Sequence, residues 1–150
     1  MQNIRRLSCR GLVVLAALGV MSACASPGPD KAPDGVPLEN TLWNLDQLEG
    51  QGIGDEARPP FVSINGDKTR ISGFSGCNRF SGELKVEGMS LSLGPLAGTR
   101  MACAQGGALE DRFLRVLGQV DHYMQDAGYL YFYVGNIPVA RFKPGPKAVP

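Results

Sequence analysis

The sequence predicts a small α+β domain, a mostly antiparallel and strongly curved or barrel-like sheet with one main amphipathic helix. Three observations predict it. Short apolar stretches alternate with polar residues and are separated by tight-turn residues such as Asn65-Gly66-Asp67 and Gly135-Asn136. Eighteen of the twenty glycines lie beyond residue 23, which suits many short strands. Only between Gly106 and Gly118 does the apolar period change to three and four.

Leu42 to Leu48 (LWNLDQL) reads as the first strand, with Trp43 and Leu45 on one side. A glycine-rich loop, Gly50 to Pro60, follows. FVSI (61–64) and TRIS (69–72) flank Asn65-Gly66-Asp67, a hairpin signal because asparagine and glycine tolerate positive φ. Glu83 to Val86 and Met89 to Leu93 flank Glu87-Gly88 as a second hairpin, in which Leu84 and Val86 oppose Leu91 and Leu93. The helix follows: Leu109, Phe113, Val116, Leu117 and Val120 share one face. Its first turn holds Glu110 and Asp111, where negative charge complements the free amide groups. HYMQ (122–125), the turn Asp126-Ala127-Gly128 and YLYFYV (129–134) form the next hairpin, and a last strand lies near Val139 to Phe142. Tyr129, Tyr131 and Tyr133 project to one face, with Leu130, Phe132 and Val134 on the other. The tyrosines are either a half-wet recognition face or rings buried by closure of the sheet.

The chain divides into a leader at 1–23, a tether at 24–37, the domain at 38–143 and a tail at 144–150. In the leader, Arg5, Arg6 and Arg10 precede the apolar run Gly11 to Met21. That run is shorter than the roughly twenty residues a bilayer span requires, and it reads as an export signal. The junction Met21-Ser22-Ala23-Cys24 resembles the lipobox of bacterial lipoproteins, although Met21 replaces the usual leucine. The resemblance implies that Cys24 is acylated, with chains such as palmitate, and begins the mature protein. Ala25, not being aspartate, implies sorting to the outer membrane. The alternative is ordinary secretion with Cys24 as a stray thiol. The proline-rich stretch ASPGPDKAPDGVP and the end KPGPKAVP carry little that could pack, and both read as disordered.

The leader holds three of the fifteen basic residues and none of the fourteen acidic ones, so the remainder carries a formal charge of −2. This balance offers no footprint for nucleic acid.

Cys77 and Cys103 remain once Cys9 is removed and Cys24 acylated. In an oxidising compartment, two cysteines are most simply a disulfide, which would stabilise the fold by roughly 3–4 kcal/mol in the chain-entropy model. A thiol enzyme would need a base, and His122, the chain's only histidine, has no clear acidic partner in the sequence. Two cysteines and one histidine without close paired spacing also fall short of a metal site. GxSxG, P-loop and HExxH motifs are absent. No catalytic residue, metal or cofactor is expected.

GFSGCNRFSGELKV, then LGPLAGTRMACAQ and a helix beginning LEDRFL, resemble the META domain of HslJ-type bacterial lipoproteins over about Leu42 to Phe142. The resemblance implies a heat-shock or antibiotic-stress-associated envelope protein, and a fold like the cracked β-barrels of secretion-system pilotin lipoproteins. In the first block Gly73, Gly76 and Gly82 permit sharp turns and close backbone contact. Arg79 could bridge Glu83 or a carbonyl, and Phe80 and Met101 could fill core beside the disulfide. The functional reading makes Asn78, Arg79, Thr99 and Arg100 a polar binding patch. Together these features predict a non-enzymatic outer-membrane lipoprotein facing the periplasm, its partner an envelope protein or an apolar ligand. The alternative is an inhibitor of a periplasmic protease or lysozyme acting through the loop Gly50 to Pro60, with Asp55, Glu56 and Arg58.

Overall fold

The computed structural model describes residues 35–54, 58–102 and 107–147. The expected leader, Cys24, the tether up to residue 34, Cys103 and residues 148–150 lie outside the described residues. The described chain forms β1 (Thr41–Leu48), β2 (Gln51–Gly52), β3 (Phe61–Ile64), β4 (Arg70–Phe74), β5 (Arg79–Glu87), β6 (Ser90–Leu93) and β7 (Ala97–Gly98). Helix α1 (Gly107–Leu117), β8 (His122–Asp126), β9 (Tyr129–Val134) and β10 (Ile137–Lys147) complete it.

The sheet is antiparallel and curved, as expected, with the single described helix late in the chain. Neighbours follow the order β10-β9-β8-β6-β5-β4-β3-β1, and β1 pairs again with β10, so the strands form a ring. The short β2 and β7 attach to β1 and β5. The ring is uneven. β1 and β10 pair from Thr41↔Lys147 to Leu48↔Ala140, whereas β6 and β8 share only Ser90↔His122.

Alternation decides what each strand buries. In β1 Trp43 and Leu45 point inward, and the Trp43 indole N–H donates to the Leu38 carbonyl at 3.0 Å, satisfying its one donor inside the core. In the second hairpin Leu84 pairs with Leu93 and Val86 with Leu91, the expected opposition. In β9 Leu130 and Phe132 are buried while Val134 and the three tyrosines are only half-buried. The tyrosine stripe thus lies on the outer face. Tyr133 stacks on His122 at 4.8 Å, and the Arg141 guanidinium sits 5.0 Å from the Tyr129 ring.

Helix α1 packs its apolar face into the sheet. Phe113 is fully buried, edge-on to Phe80 at 6.1 Å and tilted against Phe142 at 6.2 Å. Phe142 in turn meets Phe132 at 5.0 Å. Truncating a phenylalanine in such a cluster typically costs about 3–5 kcal/mol. These rings therefore fix where α1 lies against β5, and with it one wall of the site described below.

Several local features differ from the expectation: β5 begins at Arg79, four residues before Glu83, because β4 offers it a pairing edge; β2 falls inside the expected Gly50–Pro60 loop; and β7 is an added short strand on β5. In the β3–β4 turn the positive φ falls on Lys68 (56°), not on Asn65 or Gly66. Asn65 acts through its side chain, whose Oδ1 accepts from the amides of Thr69 and Arg70 at 3.0 and 2.8 Å, and so organises the longer turn. The last strand also continues past Lys143 to Lys147, because β1 offers it a pairing edge back to Thr41.

Candidate functional site

The β4–β5 hairpin turns through Ser75-Gly76-Cys77-Asn78, with Phe74 paired directly to Arg79. Gly76 takes φ = 109°, a backbone conformation that side chains disfavour. The turn is closed by the Ser75 amide and hydroxyl, both donating to the Asn78 carbonyl at 2.8 Å, while the Asn78 amide donates to Ser75 Oγ at 3.2 Å. Gly73 has a different task. A Cβ there would stand 2.1 Å from the Phe61 carbonyl oxygen and 2.7 Å from Phe80 Cζ, so glycine is what lets β3, β4 and the Phe80 ring meet.

The turn places the Asn78 side chain, which is buried, at the junction of three segments. Its Oδ1 accepts from the Thr99 hydroxyl and from the Met101 amide, both at 2.8 Å. Its Nδ2 donates to the two carboxylate oxygens of Glu110 on α1 at 3.1 and 3.2 Å. Thr99 is clipped to β5 as well: its amide donates to the Arg79 carbonyl at 3.0 Å, and its Oγ1 accepts from the Arg79 amide at 3.2 Å. One carboxamide thus ties the hairpin to the segment after β7 and to the first turn of the helix.

Beside this junction lies an open cavity of about 410 Å³. All four residues of the expected patch line it: Asn78, Arg79, Thr99 and Arg100. Glu110 adds a carboxylate, and Phe80, Leu96 and Leu114 supply an apolar wall. Among the described residues neither the Arg79 nor the Arg100 side chain takes part in a hydrogen bond or ion pair, and both residues are exposed. Two other arginines are paired elsewhere: Arg112 Nε and Nη2 reach Glu49 Oε2 at 3.0 and 2.9 Å, and Arg141 Nε reaches Asp46 Oδ2 at 2.8 Å.

Several expectations about these residues are corrected. Arg79 does not bridge Glu83; Glu83 lies across from Arg70 in the β4–β5 register. Met101 does not fill core. The residue is 61% exposed, and its backbone is what the site uses. Phe80 is buried as expected. Cys77 is buried, with Sγ 3.3 Å from Asn78 Nδ2 and 3.5 Å from the Met101 carbonyl oxygen. Its expected partner Cys103 lies outside the described residues, as do Asp55 and Glu56 of the Gly50–Pro60 loop, whose Arg58 rests 4.2 Å over the Phe74 ring.

His122 has an acidic partner after all. Its Nδ1 lies 2.5 Å from Asp121 Oδ1, while Asp121 Oδ2 accepts the Gly135 amide at 2.7 Å. The Gly135 N–H, followed by the bond to His122, holds the Asp121 carboxyl below its ordinary value. The partner is the preceding residue, hidden in the sequence because neighbours in a strand ordinarily point apart. Among the described residues no group of three histidine, cysteine, aspartate or glutamate side chains could hold a metal.

Glu110 was read from the sequence only as a charge suited to a helix start. Its spacing from Leu114 and Leu117, four and seven residues on, places all three along one side of α1. Its partner, Asn78 in the β4–β5 turn, is 32 residues away in the chain and is not marked by any local pattern.

A ring of antiparallel strands with one helix packed into it, and a charged cavity at the helix edge, define an α+β domain with a pocket outside its core. The chain belongs to the META domain family, whose profile matches residues 36–143. It is 42% identical over 67 residues to heat shock protein HslJ of Escherichia coli K12, a match covering 45% of this chain and 46% of that protein, so it spans about half the length of the curated relative. Among solved structures it is similar to a Burkholderia xenovorans protein determined by NMR, with a TM-score of 0.59 and 28% identity over 73% of this chain and 85% of that one. A second NMR structure gives a TM-score of 0.56 and 29% identity, covering 70% and 89% respectively.

Proposed function

We propose that the chain is a lipid-anchored envelope protein that helps the cell withstand heat or antibiotic stress as a non-enzymatic binding module. Acylated Cys24 holds it at the periplasmic face of the outer membrane, and the cavity beside α1 is where it engages its ligand or envelope partner. One observation carries the binding role: two sequence blocks some twenty residues apart converge on one cavity and bring two guanidiniums there that have no partner among the described residues. The heat-shock name of the Escherichia coli relative supports the stress assignment. The leader and lipobox-like junction support the anchor. The reading that an apolar ligand fills the ring is disfavoured by packing, since Trp43, Phe113, Phe132 and Phe142 already occupy the interior.

A Cys77–Cys103 disulfide accompanies this reading. Its support is the position of Met101, whose carbonyl lies 3.5 Å from Cys77 Sγ and which precedes Cys103 by two residues, a span of about 7 Å at most.

Replacing Arg79 and Arg100 together by alanine tests the function. Both are exposed, so the melting temperature should stay within about 2 °C, while cells carrying the variant lose stress tolerance as a deletion strain does. Full tolerance in that variant, or a loss that tracks a fall in stability, overturns the binding role.

A further inference from the structure

The charges lining the cavity point to a narrower ligand class. We propose that the cavity takes a small zwitterion, a molecule with a free carboxylate for Arg79 and Arg100 and a protonated amine for Glu110; a short unblocked peptide is the simplest example. This rests on reading the cavity as the binding site.

Arginine presents a planar fork of donors matched to a carboxylate, and such charge-assisted pairs are the strong polar contacts of binding sites. Two arginines of this chain use that fork internally, Arg112 on Glu49 and Arg141 on Asp46; at the cavity Arg79 and Arg100 have no carboxylate partner among the described residues, and both point their charge at one lining. An anion is therefore the first requirement. Glu110 supplies the second. It contributes a carboxylate to the same lining, where it would repel a purely anionic ligand such as phosphate. Asn78 Nδ2 donates to both Glu110 oxygens and so fixes the carboxylate's orientation. A carboxylate has about four acceptor positions, so capacity for a ligand's N–H remains. Asn78 itself has its oxygen committed to Thr99 and Met101, which makes it a positioning residue, not a ligand contact. The apolar wall of Phe80, Leu96 and Leu114 gives a ligand side chain somewhere to go, and a volume near 410 Å³ falls within the range of small-molecule sites, about 300–1,000 Å³.

The test is an amide chemical-shift titration of the full chain with four probes: alanyl-alanine, its C-terminal amide, its N-acetyl form and inorganic phosphate. Alanyl-alanine should shift the amides of Arg79, Thr99 and Arg100 in a saturable way, and each blocked form should bind at least tenfold more weakly. Arg79→Ala with Arg100→Ala should erase the discrimination against the amide, and Glu110→Gln, which keeps an acceptor for Asn78, should erase that against the N-acetyl form. Denaturation midpoints of the variants separate lost contacts from lost folding. Equal binding of blocked and unblocked peptides, tighter binding of phosphate, or no saturable shift with any probe overturns the zwitterion class. If the double arginine variant loses stress tolerance but no peptide binds, the ligand class alone falls. If it keeps tolerance while peptides bind, the proposed cellular function falls and the site stands.

Discussion

Replacing Asn78 with alanine should destabilise the domain far more than a polar-to-alanine change in a surface turn. The carboxamide makes two well-formed bonds through Oδ1, each 2.8 Å, worth about 1 kcal/mol apiece net. Nδ2 has two hydrogens and lies within reach of Glu110 Oε1 and Oε2, Cys77 Sγ and the Met101 carbonyl, so no more than two of these contacts are full bonds. The Glu110 pair is charge-assisted, at about 1.5–3 kcal/mol. The Glu110 residue is only half-buried and can recover water, which favours the low end. The sum is a loss of about 3–4 kcal/mol, against a typical total of 5–15 kcal/mol for a domain. With a urea slope of about 1.5 kcal/mol/M, the midpoint should fall by roughly 2 M. A fall below about 0.5 M would refute the idea that this side chain joins the three segments.

Asn78→Asp sharpens the test, because it keeps the shape and sets a second carboxylate against Glu110. Like charges at that distance raise one partner's folded-state pKa above its unfolded value. The acid form then favours folding below the unfolded value, and this is lost as pH rises through the folded one. Asn78→Asp should therefore approach the parent protein's stability near pH 4 and fall well short of it at pH 7.5. The reverse trend would rule out the Asn78–Glu110 contact.

Gly73→Ala should cost at least about 3 kcal/mol or prevent folding, since backbone as well as the Phe80 ring must move; Gly52→Ala, with nothing within 4 Å, should change urea stability by less than about 1 kcal/mol. Asp121→Asn should flatten the acid limb of stability. Its lowered carboxyl contributes stability above its ordinary 3.8 that is lost as pH falls through the folded value, so parent and variant curves should converge in acid. A constant offset between the curves at every pH would show that the Gly135 and His122 contacts are not what the charge stabilises. Glu49→Gln breaks the exposed pair with Arg112 and should cost under 1 kcal/mol in the same denaturation assay, a larger loss marking a role in seating α1.

The elements themselves were legible because they are written in local chemistry. Alternation marked β1 and β9, turn residues marked the hairpins, and a change of period marked α1 within a residue or two of its bounds. Where reading failed, the cause was a partner distant in sequence or a choice made by the backbone. Lys68 bears the positive φ because the Asn65 side chain organises the turn. β10 runs on to Lys147 because β1 lies beside it. Met101 turned outward because Asn78 needed its amide and left its side chain outside the core.

Residue types and their local order by themselves determined the helix, the main strands other than β2, β7 and the start of β5, and the blocks that hold Asn78, Arg79, Thr99 and Arg100. Tertiary structure alone decided that the strands close into a ring, that the tyrosines face outward, and that Glu110 completes the charged cavity. The reason is physical. Periodicity records which face of an element is apolar, but not which other element will cover it, and a site built by one buried carboxamide joining three segments exists only once those segments have met.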